Sequence, residues 1–369
     1  MYKNLKEIQI ARQLISPPGD TLAETMELKG ISQPILAMRM DRPLKTINEI
    51  IKAKTAITPE TAIQLELVLG IEAKFWLERE KNYRLELAEI EHAEALLNTK
   101  EFIMQFPLAA MKKLQWISFE DSITSMANAL YAFFGITCED AYYNYYHKNV
   151  YQTAYRMSTQ NQKNPFAVAA WLKQGEHLAD QIKVPAYDGS KFREALLEIK
   201  NVMAGQPVNF FAQLQSLCTQ AGVKVVHTPC LPNTPLHGST RWINENPLIQ
   251  LSNLYNRNDI FWFTFFHEAG HIIKHGKKDV FVEGLKYSAE EQIKEDEAND
   301  FAVKYTFTKA QEKEVLENIP LSKISIYEFA EKFNTHPAMI IGRLARIDKK
   351  LNAIGHQYNI FEKIDLSAS

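Results

Sequence analysis

The chain lacks an excess of charge of either sign: 42 Lys and Arg stand against 44 Asp and Glu, a formal charge of −2. Near-neutral charge with ordinary hydrophobic content indicates a soluble globular protein. Cysteine is scarce. Cys138, Cys218 and Cys230 are scattered and odd in number, which argues against a disulfide framework and predicts a reducing, cytoplasmic setting. No apolar run approaches the roughly 20 residues needed to span a bilayer. Nothing apolar follows Met1-Tyr2-Lys3-Asn4-Leu5-Lys6 as the core of a signal peptide. No membrane partner is expected. There is no internal repeat and no Gly-rich phosphate loop. The 369 residues are enough for two or three domains.

What is present is His267-Glu268-Ala269-Gly270-His271. On a helix, positions i and i+4 share a face with Cβ atoms about 5–6 Å apart, close enough for both rings to reach one ion. Glu268 is turned by roughly 100° from His267, so it reaches past a metal toward a bound water. This is the H-E-x-x-H arrangement of zinc hydrolases, two ligands and a general base. The flanks, Ile260 to Phe266 and Ile272-Ile273, predict a helix apolar on all sides and therefore buried. The plain alternative is two core histidines bonded to backbone carbonyls, with Glu268 neutral or salt-bridged.

A third ligand is needed. Residues 295–302, Glu-Asp-Glu-Ala-Asn-Asp-Phe-Ala, predict a second helix with an acidic start. Glu295 is the chosen ligand, with Glu297 a weaker candidate. Asn299 lies four residues on and is placed to bond the outer nitrogen of a ligand His, fixing its tautomer. Glu291, Asp296 and Glu297 read as solvated carboxylates at a helix start. His275 reads as a helix-end histidine, with Gly276 ending the helix. Cys230 reads as a loop cysteine, with a thiolate blocking the metal as the alternative. His237, Arg241, Tyr287 and Tyr305 are candidates for stabilising an oxyanion. Residues 248–251 are a candidate edge strand onto which an extended substrate would add.

The run 265–273, Phe-Phe-His-Glu-Ala-Gly-His-Ile-Ile, with Glu295 and the Ala298-Asn299-Asp300-Phe301-Ala302 stretch, resembles the ImmA/IrrE family of metallo-endopeptidases. Residues 221–226 and 247–252 resemble the strands that precede its active-site helix. The match covers roughly 206–310. It implies one Zn2+ per chain on His267, His271 and Glu295, with Glu268 as the base.

Residues 20–90 read as a compact set of five helices. Asp20 is expected to cap the first, Ser32 the second and Thr58 the fourth, which Gly70 ends. Ile47, Ile50 and Ile51 are spaced i, i+3, i+4 on the third. Two short helices joined at Asp41-Arg42-Pro43 form a helix-turn-helix. Candidate DNA contacts are Gln33, Arg42, Lys45, Thr46, Asn48 and Lys52. The first 90 residues are roughly charge-neutral, so salt-sensitive, modest affinity is expected. A small helical interaction domain is the alternative. Ser32-Gln33, Leu36-Ala37, Thr46-Ile47, Ile57-Thr58-Pro59 and Phe75-Trp76-Leu77 resemble the XRE-type helix-turn-helix of HigA-like antitoxins over about residues 18–85. That implies an operator, a homodimer and a toxin as expected partners.

The expected fold is mainly α with a small β-sheet (α+β) in the peptidase domain. The boundaries read as 1–90 helix-turn-helix, 91–205 helical linker, 206–345 zincin-like peptidase and 346–369 tail. In the linker, Tyr142, Tyr143, Tyr145 and Tyr146 read as core or interface. The leading function is a zinc-dependent endopeptidase fused to a DNA-binding regulator, cleaving a repressor or antitoxin-like protein. The alternatives are an antitoxin-like repressor whose metal is structural or sensory, and a toxin-binding scaffold without DNA contact.

Overall fold

The computed structural model describes residues 2–150, 164–275, 281–282, 289–347, 350–364 and 366. Gly276, Tyr287 and 367–369 lie outside these residues. The chain forms two compact units, Met1–Met104 with Ile117–Ala132, and Gln105–Trp116 with Phe133–Ser369. It is mainly α-helical with one small sheet, as the sequence predicts. Among the described residues no helix is long and apolar enough to cross a membrane.

The first unit opens with α1 (Leu5–Leu14), α2 (Pro18–Leu28), α3 (Gln33–Arg39), α4 (Leu44–Ile51), α5 (Pro59–Leu69) and α6 (Ala73–Leu97). Proline falls in the first turn of α2, α3 and α5, where its missing N–H costs no helical bond. Thr58 accepts from Thr61 N–H at the start of α5, and Gly70 closes it in the left-handed region. Ser32 is the cap residue of α3 by backbone conformation, without a side-chain bond. Asp20 does not cap α2: Pro17 holds that position, and Asp20 lies inside the first turn. Leu22, Leu36, Ile47, Ile50, Leu65 and Trp76 form the core of this helical set. α2 meets α4 at backbone contact, since a Cβ on Gly19 would stand 2.3 Å from the Ile51 carbonyl oxygen. α1 was not foreseen. Asn4 caps it, and Ile8 and Ala11 pack against Ile90 and Ala93 of α6.

In chain order follow α7 (Lys100–Ile103), α8 (Leu108–Lys113), α9 (Ile123–Phe134) and α10 (Glu139–Tyr142), then a π-helical stretch at Tyr143–Val150. Tyr142 and Tyr146 are buried, and the Tyr142 ring packs against Phe106, Phe134 and Phe166. Tyr145 is exposed.

The second unit is built on strands β1 (Lys224–His227), β2 (Gly238–Ile243), β3 (Asn246–Leu251) and β4 (Phe281–Val282). Their order is β1-β3-β2-β4. β1 pairs parallel with β3, and β2 pairs antiparallel with both β3 and β4. Side chains alternate between the two faces. Val226, Leu248 and Ile243 meet α11 (Pro165–Asp180) on one face. On the other face Val225, Ile249 and Leu251 enter the main core with α12 (Gly189–Gly205), α13 (Phe210–Gln220) and α14 (Asn258–Lys274). α15 (Ala289–Thr306), α16 (Lys309–Leu316), α17 (Lys323–Phe333), α18 (Pro337–Leu344) and α19 (Lys350–Gln357) complete the unit.

Three expectations change here. β3 lies between β1 and β2, so both its backbone edges are already paired. It cannot accept a substrate strand. The stretch read as linker, 91–205, ends in α11 and α12, which cover the two faces of the sheet. The stretch read as a tail, 346–369, gives Ile360, Ile364 and Leu366 to the core. It is also held by Ile364 N–H donating to the Asn256 carbonyl, and by the Arg257 guanidinium 3.7 Å above the Phe361 ring.

Candidate metal centre

α14 carries the H-E-x-x-H residues, and every residue from Thr264 to Ile272 on it is buried. Two small residues let other elements approach. A Cβ on Gly270 would lie 3.1 Å from Ala298 Cα and 3.1 Å from Phe301 Cβ, so α14 and α15 cross at close range. A Cβ on Gly238 would lie 2.8 Å from Glu268 Oε1 and 2.7 Å from Thr264 Cγ2, so the start of β2 rests against the Glu268 carboxylate. Thr240, two residues along β2, donates its hydroxyl to the Glu268 carbonyl at 3.0 Å.

This crossing brings three donor atoms together. His267 Nε2 is 3.1 Å from His271 Nε2. Glu295 reaches His267 Nε2 at 3.2 Å through Oε2, and His271 Nε2 at 3.3 Å through Oε1. All three residues are buried. Among the described residues they form the group of His, Cys, Asp and Glu side chains able to hold a metal ion. The spacing fits a zinc ion: tetrahedral donors at about 2.0–2.1 Å from the metal lie roughly 3.3 Å from one another. The donor set of two imidazoles and one carboxylate also suits zinc over magnesium or calcium, which take oxygen ligands.

The outer bonds fix how the rings present themselves. His267 Nδ1 lies 3.1 Å from Asn299 Oδ1. An amide oxygen only accepts, so Nδ1 carries the proton and Nε2 turns its lone pair inward. Burial pushes His271 down to about 4. Burial alone would raise Glu295, but the His267 and His271 rings set against it outweigh that and hold it at about 2. Near neutral pH the set is therefore a carboxylate facing a neutral His271, the ionisation a divalent cation requires.

Glu268 is 0% exposed and stands outside the donor group, on the neighbouring side of α14. The other candidates fall elsewhere. Arg241 projects from the opposite face of β2 from Thr240, donating to the Leu172 carbonyl of α11 and pairing with Glu176, so it is not an oxyanion group. Tyr305 lies flat on Phe266, with ring centroids 5.2 Å apart. His237 adjoins Gly238 and faces the Tyr255 ring. Cys230 donates to the Leu236 carbonyl and is not among the metal-type donors. Glu297, read as a solvated carboxylate, is paired with His275 at 2.9 Å. The sequence signal missed was β2: the β-branched and aromatic Thr240, Trp242 and Ile243 favour a strand, and Gly238 marks the close approach.

In the first unit, Asp41 at the helix-turn-helix corner adopts φ 51°. That is the left-handed conformation for which glycine is usual and aspartate is tolerated. Lys45 and Lys52 are exposed, whereas Gln33, Arg42, Thr46 and Asn48 are half-buried. Arg42 Nε donates to Gln64 on α5 at 2.9 Å, and Lys45 lies 3.8 Å from Glu49.

Residues 218–344 match the family model of the IrrE N-terminal-like domain of Peptidase M78. The amino-terminal region is similar to the uncharacterized HTH-type transcriptional regulator YddM of Escherichia coli K12, 32% identical over 72 residues, 20% of this chain and 77% of that protein. It is also similar to virulence-associated protein I of Dichelobacter nodosus, 34% identical over 73 residues, 20% of this chain and 68% of that protein. A solved structure of an addiction module antidote protein of the HigA family from Coxiella burnetii is 26% identical, covering 25% of this chain and 92% of that one at a TM-score of 0.20. The chain therefore carries an IrrE N-terminal-like (Peptidase M78) domain at 218–344, and joins to it an amino-terminal domain of the helix-turn-helix regulator kind.

Proposed function

We propose that this chain is a zinc-dependent endopeptidase fused to a DNA-binding regulator, acting in the cytoplasm on a repressor or antitoxin-like protein. The observation that carries this reading is the convergence of His267 Nε2, His271 Nε2 and the Glu295 carboxylate at 3.1–3.3 Å, beside a buried Glu268 outside the group.

His267, His271 and Glu295 would hold the ion. When bound, zinc supplies electrostatic activation and a water acidified toward about 7. The Glu268 carboxylate takes a proton from water as its oxygen bonds to the peptide carbonyl carbon. It returns that proton to the amide nitrogen as the C–N bond breaks. Its burial keeps bulk water from competing for the proton, and Gly238 leaves the space in which the carboxylate sits. The substrate is identified by comparing protein termini in cells carrying the wild-type chain or Glu268→Gln. New termini confined to the wild type support the reading, and identical termini in both would sink it.

The amino-terminal likeness to HTH-type regulators supports a second reading, in which the metal is structural or sensory and the chain acts as an antitoxin-like repressor, as a homodimer or with a toxin partner. In that case Glu268→Gln leaves every phenotype intact. Both readings place Lys45 and Asn48 at an operator. Lys45→Ala, removing a phosphate-seeking charge that is 84% exposed, is expected to weaken DNA binding and reduce the salt slope by about 1. Asn48→Ala, removing a base-edge contact, is expected to cost about 1–3 kcal/mol on the operator alone. Gel shifts at several salt concentrations check this. Unchanged binding by both variants would place the DNA contacts elsewhere, and a wild-type chain with no salt-sensitive binding would leave the third reading, a scaffold that does not touch DNA.

A further inference from the structure

α14 ends at Lys274, and His275 follows in an extended conformation, φ −113° and ψ 155°. That departure from the helix swings its ring back toward His271. His275 Nδ1 lies 3.0 Å from His271 Nδ1, and His275 Nε2 lies 2.9 Å from Glu297 Oε2 on α15. We propose that His275 and Glu297 are positioning residues: a carboxylate–imidazole pair that locks His271 in one tautomer and one orientation and strengthens it as a metal donor. The proposal rests on the metal reading above.

His271 Nε2 faces His267 and Glu295, the side on which a cation would be held. A donor nitrogen there carries no proton, so the ring's proton sits on Nδ1. Nδ1–H is directed at His275 Nδ1, which accepts. His275 then carries its own proton on Nε2 and donates it to the Glu297 carboxylate. A single tautomer for each ring satisfies both contacts. Carboxylates and carbonyls that take the outer N–H of a ligand imidazole orient it and raise its basicity.

The two imidazoles are therefore unequal. His267 is backed by the neutral amide oxygen of Asn299, and His271 by an anion acting through a second ring. α15 supplies both supports and the third donor, at positions 299, 297 and 295. Sliding or tilting α15 would disturb all three together. The His275 side chain is 5% exposed and Glu297 53%, so the anion sits at the surface while the pair's inner end is dry.

The test is zinc affinity of the full purified chain, measured by competition with a chromophoric chelator. His275→Ala and Glu297→Gln are each expected to weaken zinc binding about 10–100-fold. Glu297→Asp is expected to recover part of the loss. Asp296→Asn, which removes a neighbouring exposed charge that accepts from Gln292, is expected to stay at the wild-type value. In 15N-histidine spectra of the zinc-loaded chain, the His271 Nδ1–H resonance should move in Glu297→Gln, a shift that a purely structural role would not produce. If His275→Ala fails to fold, Glu297→Gln, at a half-exposed carboxylate, decides alone. Wild-type zinc binding with both variants within about twofold of it, on the scale where loss of such a partner costs 10–100-fold, would overturn the pair's role and leave the metal reading standing. A wild-type chain that takes up no zinc would overturn both.

Discussion

Glu268→Gln is expected to lower the rate of peptide cleavage by about 10²–10⁴-fold, the range that general acid–base groups contribute, while zinc content stays at the wild-type level. The two halves of this result rest on different observations. The loss follows because an amide cannot carry a proton from water to a leaving nitrogen. Retention of metal follows because Glu268 lies outside the cluster of His267, His271 and Glu295. Glutamine matches the volume of glutamate, and the backbone of residue 268 stays held by the Thr240 hydroxyl, so α14 should not shift. Cleavage of the substrate found by terminus comparison, with elemental analysis of the same samples, reads both. Wild-type cleavage would remove Glu268 from the chemistry. Lost zinc would make it a ligand.

Gly270→Val is expected to weaken zinc binding by at least about 100-fold, the upper end of what losing a ligand's outer partner costs. It acts without touching any donor atom. The two His ride on α14 and Glu295 rides on α15, and these helices meet where a Cβ on Gly270 would press on Ala298 Cα and the Ala298 carbonyl oxygen, at 3.1 and 3.3 Å. The neighbour there is backbone, which has little room to give. Valine adds two further carbons. The helices must part, and Glu295 leaves contact distance of both rings. Overpacking of this kind also costs about 1–3 kcal/mol of stability, read by denaturant unfolding of the metal-free chain. A folded Gly270→Val chain with unaltered zinc affinity would mean that this crossing does not set the donor geometry.

How much of this was legible depends on the range of the interaction. The pairing of His267 with His271, and of Asn299 with the ring opposite, follows from helical periodicity and was readable from spacing. Glu295 was readable because two His and one Glu is a common donor set and a second helix offered few carboxylates on one face. The corner at Asp41 departs from the usual glycine, and its backbone shows why the departure is tolerated. What stayed hidden was nonlocal. Strand order places residues 248–251 in the middle of the sheet, a fact set by the parallel pairing of β1 directly with β3, with β2 intervening in sequence but not in space. The pairing of His275 with Glu297 needs the chain to leave the helix after Lys274, and a helical wheel assumes that it does not. Residues 165–205 look like any amphipathic helices until the sheet they cover is known.

The central claim is a single cation held by His267, His271 and Glu295. Its most direct test is zinc content by elemental analysis of the purified chain and of the His271→Ala and Glu295→Ala variants, after dialysis against metal-free buffer. The account predicts one zinc per wild-type chain and close to none in either variant. Wild-type protein without zinc, or full occupancy surviving both substitutions, would contradict it.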